Sequence, residues 1–277
     1  MRFSLILGTF GRTVELEQCL TSLDEQTCKH FELIVVDQNP DERLAPVLAP
    51  CEDRFTILHL RSEKGLSKAN NLGLKHTSGE IVGFPDDDCQ YPPDLLHRVA
   101  RFFSDYPDVE GLCGRSVDGS GQDSNGRYDT EPGAVDKFNV WRRSVQYAVF
   151  LRAESVRGTW FDERLGPGAG TVYRASDETD FLLQLLELGV TVRYDPSLTV
   201  VHPHPVLYYD ERAMRRAYHY GCAMGHVLKK HRYPLSFVAR MLFHPLSKAA
   251  LSLIRLRLPE TRYRWSAFKG RVKGLLS

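Results

Sequence analysis

Gly79-Glu80-Ile81-Val82-Gly83-Phe84-Pro85-Asp86-Asp87-Asp88-Cys89-Gln90-Tyr91-Pro92-Pro93 is an apolar run that breaks into three consecutive carboxylates between prolines. A short apolar run ahead of a turn signal reads as a buried strand, so the acids stand where a strand leaves a sheet. In extended chain Asp86 and Asp88 point the same way. That spacing suits a hard divalent cation, held by one or two carboxylates while phosphates and water complete its shell. Taken alone, such a run is more often a solvated acidic turn, and the flanking chain has to decide.

Upstream, three more apolar runs read as strands: residues 2–8, 31–37 and 55–60. Segments with helical spacing of apolar residues alternate with them at 13–26, 65–77 and 93–106, and a weaker one, interrupted by Pro46, at 41–50. This alternation predicts an α/β fold with a mainly parallel sheet, whose ligands bind beyond the carboxyl ends of the strands. Thr9 and Arg12, Asp37, and Asp86 to Asp88 all stand at such ends. Agreement among three strand ends favours a metal-diphosphate site over a solvated turn.

Downstream, residues 114–137 are rich in Gly, Ser, Asp and Asn and read as a long loop, either a lid or unstructured. Residues 145–151, 190–194 and 199–202 have strand character. The glycine-rich stretch 158–170 leads into Ser176-Asp177-Glu178-Thr179-Asp180 and then an apolar helix stopped by Gly189. Acids suit a first helical turn, but three exceed what capping needs, so at least one is a candidate for a ligand. His202 and His204 follow the last strand.

From Arg212 to the end the chain holds fifteen basic residues against one acid, Glu260, although the whole chain carries a net charge of only +1. Residues 234–257 and 262–276 interleave basic and apolar side chains, as helices lying in a membrane interface do. Anionic lipid is the expected partner of this region, ahead of nucleic acid. A terminal helix with a solvated basic face is the plain alternative. The domains expected are 1–206 and 207–277. Six scattered cysteines without a C-x-x-C pair suggest reduced thiols and a cytoplasmic setting. Neither a signal peptide nor a run of 18 uncharged apolar residues stands out, so no spanning helix is expected.

Three stretches together resemble the inverting family 2 glycosyltransferases of GT-A fold. They are SLILGTFGR with FELIVVDQNPDE, KGLSKANNLGLKHTSGEIVGFPDDD, and SDETDFLLQLLELG. The resemblance covers about residues 3–204. It implies transfer of a sugar from a nucleotide-sugar donor to an acceptor hydroxyl, with Mn²⁺ or Mg²⁺ at the acidic motif. Carried over by position, Asp86 and Asp88 are metal ligands, joined by His202. Thr9, Phe10, Arg12, Asp37, Gln38, Lys68, Asp86 and Asp87 belong to the nucleotide-sugar pocket. Glu178 is the implied general base, with Asp177 and Asp180 as alternates. The chain departs from the family pattern at Gln38, at Asn70, where an Arg is frequent, and at Glu178, where Asp is commoner. Combined with the basic C-terminal region, the resemblance implies a glycan or lipid-linked glycan acceptor in capsule, exopolysaccharide or O-antigen synthesis. It also implies a peripheral place on the inner face of the plasma membrane. Two rivals are a sugar nucleotidyltransferase, for which residues 8–12 are too poor in glycine and basic residues, and a non-catalytic subunit of a membrane synthesis complex.

Overall fold

The computed structural model describes residues 1–204 and 208–277. The chain divides into two compact units, Met1–Phe161 with Phe181–Pro205, and Asp162–Asp180 with Val206–Ser277. The boundary expected between 206 and 207 falls outside the described residues.

In chain order the first unit runs β1 (Phe3–Thr9), α1 (Val14–Asp24), β2 (Phe31–Asp37), α2 (Ala45–Leu48), β3 (Thr56–Arg61) and α3 (Leu66–Leu74). It continues with β4 (Ile81–Gly83), α4 (Leu95–Asp105), β5 (Gly111–Val117), β6 (Gly133–Ala134), α5 (Val140–Arg143) and β7 (Val149–Arg152). Helix α6 (Asp177–Glu187) has its first turn in the second unit, and β8 (Val192–Val201) completes the sheet.

The eight strands lie in the order β3-β2-β1-β4-β7-β5-β8-β6. β3, β2, β1 and β4 are mutually parallel; β7 runs antiparallel to both β4 and β5. The expected α/β architecture, a mixed and mainly parallel sheet, is what the chain forms. Every residue of β2 is buried, and its Leu33-Ile34-Val35-Val36 run is what a strand covered on both faces requires. Helix α3 lies close on β1 because Gly73 gives Ile6 room that any Cβ would take. Gly8 does the same for Leu66 and Ala69, whose side-chain atoms would stand 3.0 and 3.1 Å from a Cβ there.

Three expectations need correction. The helix read at 41–50 shrinks to α2 and a 3₁₀ turn over Ala49–Cys51, because Pro46 and Pro50 lack the amide protons a longer helix needs. The loop read at 114–137 begins inside β5, and a short β6 lies near its end. The strands read at 190–194 and 199–202 are one strand, β8, with a register shift opposite β5 between Cys113 and Arg115. Arg115 Nε bonds the Pro196 carbonyl there at 2.8 Å, bridging the kink.

The second unit contains α7 (Glu211–Lys230), α8 (Leu235–Ile254) and α9 (Leu258–Leu276). Asp210 caps α7, its carboxylate accepting from Ala213 N at 2.7 Å. Helices α7 and α9 meet backbone to backbone through Gly221 and Gly225 on one and Gly270 and Gly274 on the other. A Cβ on any of the four would collide with a carbonyl oxygen of the opposing helix. Helix α8 leaves Leu235, Phe243, Leu251, Leu253 and Ile254 exposed. Among the described residues it is long and apolar enough to cross a membrane by length and composition, with mean hydropathy 1.2. It nevertheless carries Arg240 and Lys248.

Candidate active site

The site grows from the ends of parallel strands. The register pairs Thr9 of β1 with Asp37 of β2, and β4 runs out into Asp86, Asp87 and Asp88. Thr9 Oγ1 donates to Asp87 Oδ2 at 2.7 Å. The Arg12 guanidinium forks across the acids, Nη1 to Asp87 and Nη2 to Asp88 Oδ2 at 2.8 Å.

A backbone clip brings the imidazole in. Gln90 and Val201 exchange two hydrogen bonds, at 2.9 and 3.0 Å. His202, next in the chain, then stands with Nε2 3.2 Å from Asp88 Oδ1. Its Nδ1 lies 2.7 Å from the Pro203 carbonyl, which suits an Nδ1–H donor and leaves Nε2 facing the acids. Beneath the ring lies Tyr147, stacked at 4.7 Å between centroids. The Tyr147 hydroxyl donates to Ser116 Oγ at 2.8 Å.

Crowded acids at low exposure raise one another's pKa. Burial, then repulsion from Asp88 and Asp87, pushes Asp86 up to about 7. Burial also raises Asp87, against Arg12 and Thr9. At Asp88 burial is outweighed by the His202 hydrogen bond and the charges of His202 and Arg12, so its pKa falls. One ligand atom from each of Asp86, Asp88 and His202 falls within 4.8 Å of the others. Two carboxylate oxygens and one imidazole nitrogen form a donor set for a divalent cation, and the crowded negative charge around Asp86 favours one. The residues therefore fit a divalent ion.

The neighbouring strand ends hold the other predicted residues. Asp37 is fully buried; Oδ1 accepts from Asn39 N and Nδ2, both at 2.8 Å. Its Oδ2 meets His59 Nε2 at 3.1 Å and Arg61 Nη1 at 3.2 Å. Gln38 lies beside Thr9, its amide bonding the Thr9 carbonyl at 3.0 Å, and its Oε1 accepts from Gly65 N at 2.6 Å. Phe10 is exposed with the Lys64 ammonium 3.8 Å above its ring centroid. Lys68 pairs with Glu63 at 2.7 Å.

In the second unit, Ser176 takes a left-handed backbone (φ 61°) just before α6. Asp177 is buried, its carboxylate packed on Gly166, where a Cβ would lie 2.8 Å from Asp177 Cγ. Glu178 is partly buried, and burial raises its pKa. Thr179 Oγ1 lies 3.3 Å from Glu178 Oε1. Asp180 is wholly buried against Lys230 and His231. The structure thus gathers Thr9, Arg12, Asp86, Asp87, Asp88 and His202 into one cluster.

A mixed, mainly parallel sheet that ends in such an acidic cluster defines the GT-A class of fold. Comparison with known proteins gives the family. A profile described as Glycosyl transferase family 2 matches residues 4–155, more than half of the chain. The chain belongs to glycosyl transferase family 2. It is 36% identical over 108 residues to a "PGL/p-HBAD biosynthesis glycosyltransferase" of Mycobacterium bovis, a match covering 38% of this chain and 42% of that protein. The chain thus matches under half the length of that curated relative. Among solved structures it resembles S. aureus TarS with TM-score 0.62 and 17% identity, over 98% of this chain and 92% of that one. It also resembles the mannosyltransferase PcManGT from Pyrobaculum calidifontis, solved with GDP-Man and Mn²⁺. There the TM-score is 0.65 and the identity 18%, over 99% of this chain and 87% of that one.

Several contributors escaped the sequence reading. Tyr147 shapes the His202 face, yet 55 positions separate the two and no pattern links them. His59 and Arg61 did leave a signal. They alternate on the edge strand β3, and Arg61 is the register partner of Asp37. Arg61, a cation one strand away from a buried acid, is its natural counter-charge, and the His59 ring meets the same carboxylate.

Proposed function

We propose that this chain is an inverting, metal-dependent glycosyltransferase that moves a sugar from a nucleoside-diphosphate donor to an acceptor hydroxyl. The observation carrying this reading is the Asp86, Asp88 and His202 triad, with its ligand atoms within 4.8 Å of one another at the strand ends. In this reading Asp86, Asp88 and His202 hold Mn²⁺ or Mg²⁺, and Arg12 moves its charge to the donor phosphates. The ion supplies neutralisation of the charge that develops on the departing diphosphate. Thr9 fixes Asp87, and exposed Phe10 offers its face to the nucleoside. Glu178 takes the proton from the acceptor hydroxyl; burial raises its pKa, which strengthens it as a base. The acceptor oxygen then bonds the anomeric carbon. The carbon–oxygen bond to the phosphate breaks, and the nucleoside diphosphate leaves with the electron pair.

The C-terminal region supports a membrane-surface location for this reading. Exposed apolar residues on α8 lie among Arg240, Lys248, Arg255 and Arg257. That combination fits an anionic membrane surface at the cytoplasmic face, with a glycan or lipid-linked glycan as acceptor in surface-polysaccharide synthesis.

Calorimetry with UDP, GDP and dTDP, with and without Mn²⁺ or Mg²⁺, tests the donor site, followed by hydrolysis of the corresponding sugar nucleotides. One nucleoside diphosphate should bind, and only with metal. Absent or metal-independent binding without hydrolysis overturns the reading in favour of a non-catalytic subunit.

A further inference from the structure

One charged cluster of the second unit has no part in the chemistry above. Asp180 is wholly buried, yet Lys230 Nζ lies 2.8 Å from its carboxylate and His231 Nε2 lies 2.9 Å from Oδ1. The same ammonium is 3.0 Å from Asp162 Oδ2. Asp162 is also forked by Arg164, at 3.0 and 2.7 Å, and its pKa is lowered mainly by that hydrogen bonding. Lys230 is the last residue of α7 and His231 its C-cap. The negative end of a helix favours cations there.

Asp162 and Asp180 are the first and last residues of one segment of chain. A single ammonium therefore grips both ends of it. The segment is also folded on itself. Gly166 N bonds the Tyr173 carbonyl at 2.9 Å, Thr171 Oγ1 bonds the Arg164 carbonyl at 2.6 Å, and Asp177 packs on Gly166. Tyr173 stacks on His226 of α7 at 4.4 Å. Glu178 stands two residues before Asp180 in the same helical turn, whose first amide bond runs from Asp180 N to Ser176 O at 2.9 Å.

A buried ion pair adds little stability over apolar packing of the same volume. It does fix one geometry, because removing either partner strands a charge. Placement is what a general base needs, since a shift of about 1 Å at a reacting group can cost on the order of 100-fold in rate.

We infer that Lys230 and His231 are positioning residues for the transfer reaction: by holding Asp180 and Asp162 they set where Glu178 stands. The inference rests on the assignment of Glu178 as base. Its test measures kcat, donor KM, the Kd of the nucleoside diphosphate with Mn²⁺, and thermal melting of the full chain. Lys230→Met should lower kcat roughly 10- to 100-fold while the nucleoside-diphosphate Kd stays within about two-fold. Lys230→Arg, which keeps the charge, should recover most of the rate. Asp180→Asn and His231→Gln keep shape and hydrogen bonding, and serve if Lys230→Met does not fold; each should lower kcat in the same selective way. Wild-type kcat in Lys230→Met, or a fall in rate and nucleotide binding together that arginine does not rescue, overturns the inference. Glu178→Gln separates the two claims. If it still turns over, the base assignment fails; if it is dead while Lys230→Met is fully active, only the positioning role fails.

Discussion

The imidazole of His202 lies flat on the phenol ring of Tyr147, with 3° between their planes and 4.7 Å between centroids. The phenol is itself held by Ser116, so the face that His202 turns to Asp88 is set from below. If His202 holds the ion as proposed, a support behind its imidazole tunes the affinity for metal.

Tyr147→Leu should therefore raise the Kd of the nucleoside diphosphate with Mn²⁺ by about 10-fold or more. Tyr147→Phe keeps the stacked ring and should stay close to wild type. Titration calorimetry reads both. Equal losses in the two variants would assign the effect to the hydroxyl and not to stacking.

Thr9 is almost fully buried and donates to a carboxylate that is itself buried. Thr9→Val leaves Asp87 one donor short, and a hydrogen bond to a charged group is worth about 1.5–3 kcal/mol. Urea denaturation should show a loss of that order, while Thr9→Ser should be nearly neutral. A stable Thr9→Val protein would mean that Arg12 alone satisfies Asp87.

Burial raises the pKa of Glu178, and a general base must be deprotonated to work. Activity should then fall with decreasing pH through a midpoint above the ordinary glutamate value. The acid limb of kcat/KM measures it. Glu178→Gln should lower kcat about 100- to 10,000-fold while sparing donor binding. Near-normal turnover of this variant would remove Glu178 from the mechanism.

Glu32 provides a stability readout away from the site. Burial works to raise its pKa, but hydrogen bonds from Ser4 and Ser78 and the charge of Arg2 outweigh it, leaving it below the usual value. A carboxylate depressed in the folded state stabilises above its unfolded pKa and loses that contribution as pH falls through the folded one. The stability gap between wild type and Glu32→Gln should thus be full near neutral pH and narrow as pH falls below about 4. Denaturation midpoints across that range decide; a constant gap would exclude the linkage.

The exposed apolar residues at the end of α8 are the proposed contact with lipid. Full-length protein carrying Ile254→Asp and Leu256→Asp should float less with vesicles containing phosphatidylglycerol than wild type does. Added salt should weaken what remains. Unchanged flotation would send the lipid contact elsewhere.

How much of this was legible beforehand follows from the kind of signal each feature leaves. β1 and β2 are buried, so their apolar runs betrayed them despite Ser4 and Glu32, and Asp86 to Asp88 stood out at the end of a third such run. β5 was hidden because Gly111 and Gly114 look like loop residues. Both are there for close approach: a Cβ at Gly114 would strike the Leu198 carbonyl, and one at Gly111 would lie 2.8 Å from Leu151 Cδ2. Pairings between distant positions left no trace. Asp180 could be singled out as an acid, but its partners Lys230 and His231 lie fifty residues on, in a region whose basic charge read as a surface for anionic lipid.

The four glycines between α7 and α9 carry a practical warning about deletion mutants. Because the two backbones touch directly, α9 is a wall of the second unit and not a detachable appendage. A protein cut near residue 234 would bare the groove on α7 and, with it, the helix whose last residue holds Asp180. Lost activity in such a truncation would therefore reveal nothing about membranes. Surface point changes on α8 are the cleaner instrument, and an alanine at Gly225 or Gly274 would be the sharpest way to unseat the C-terminal helix without shortening the chain.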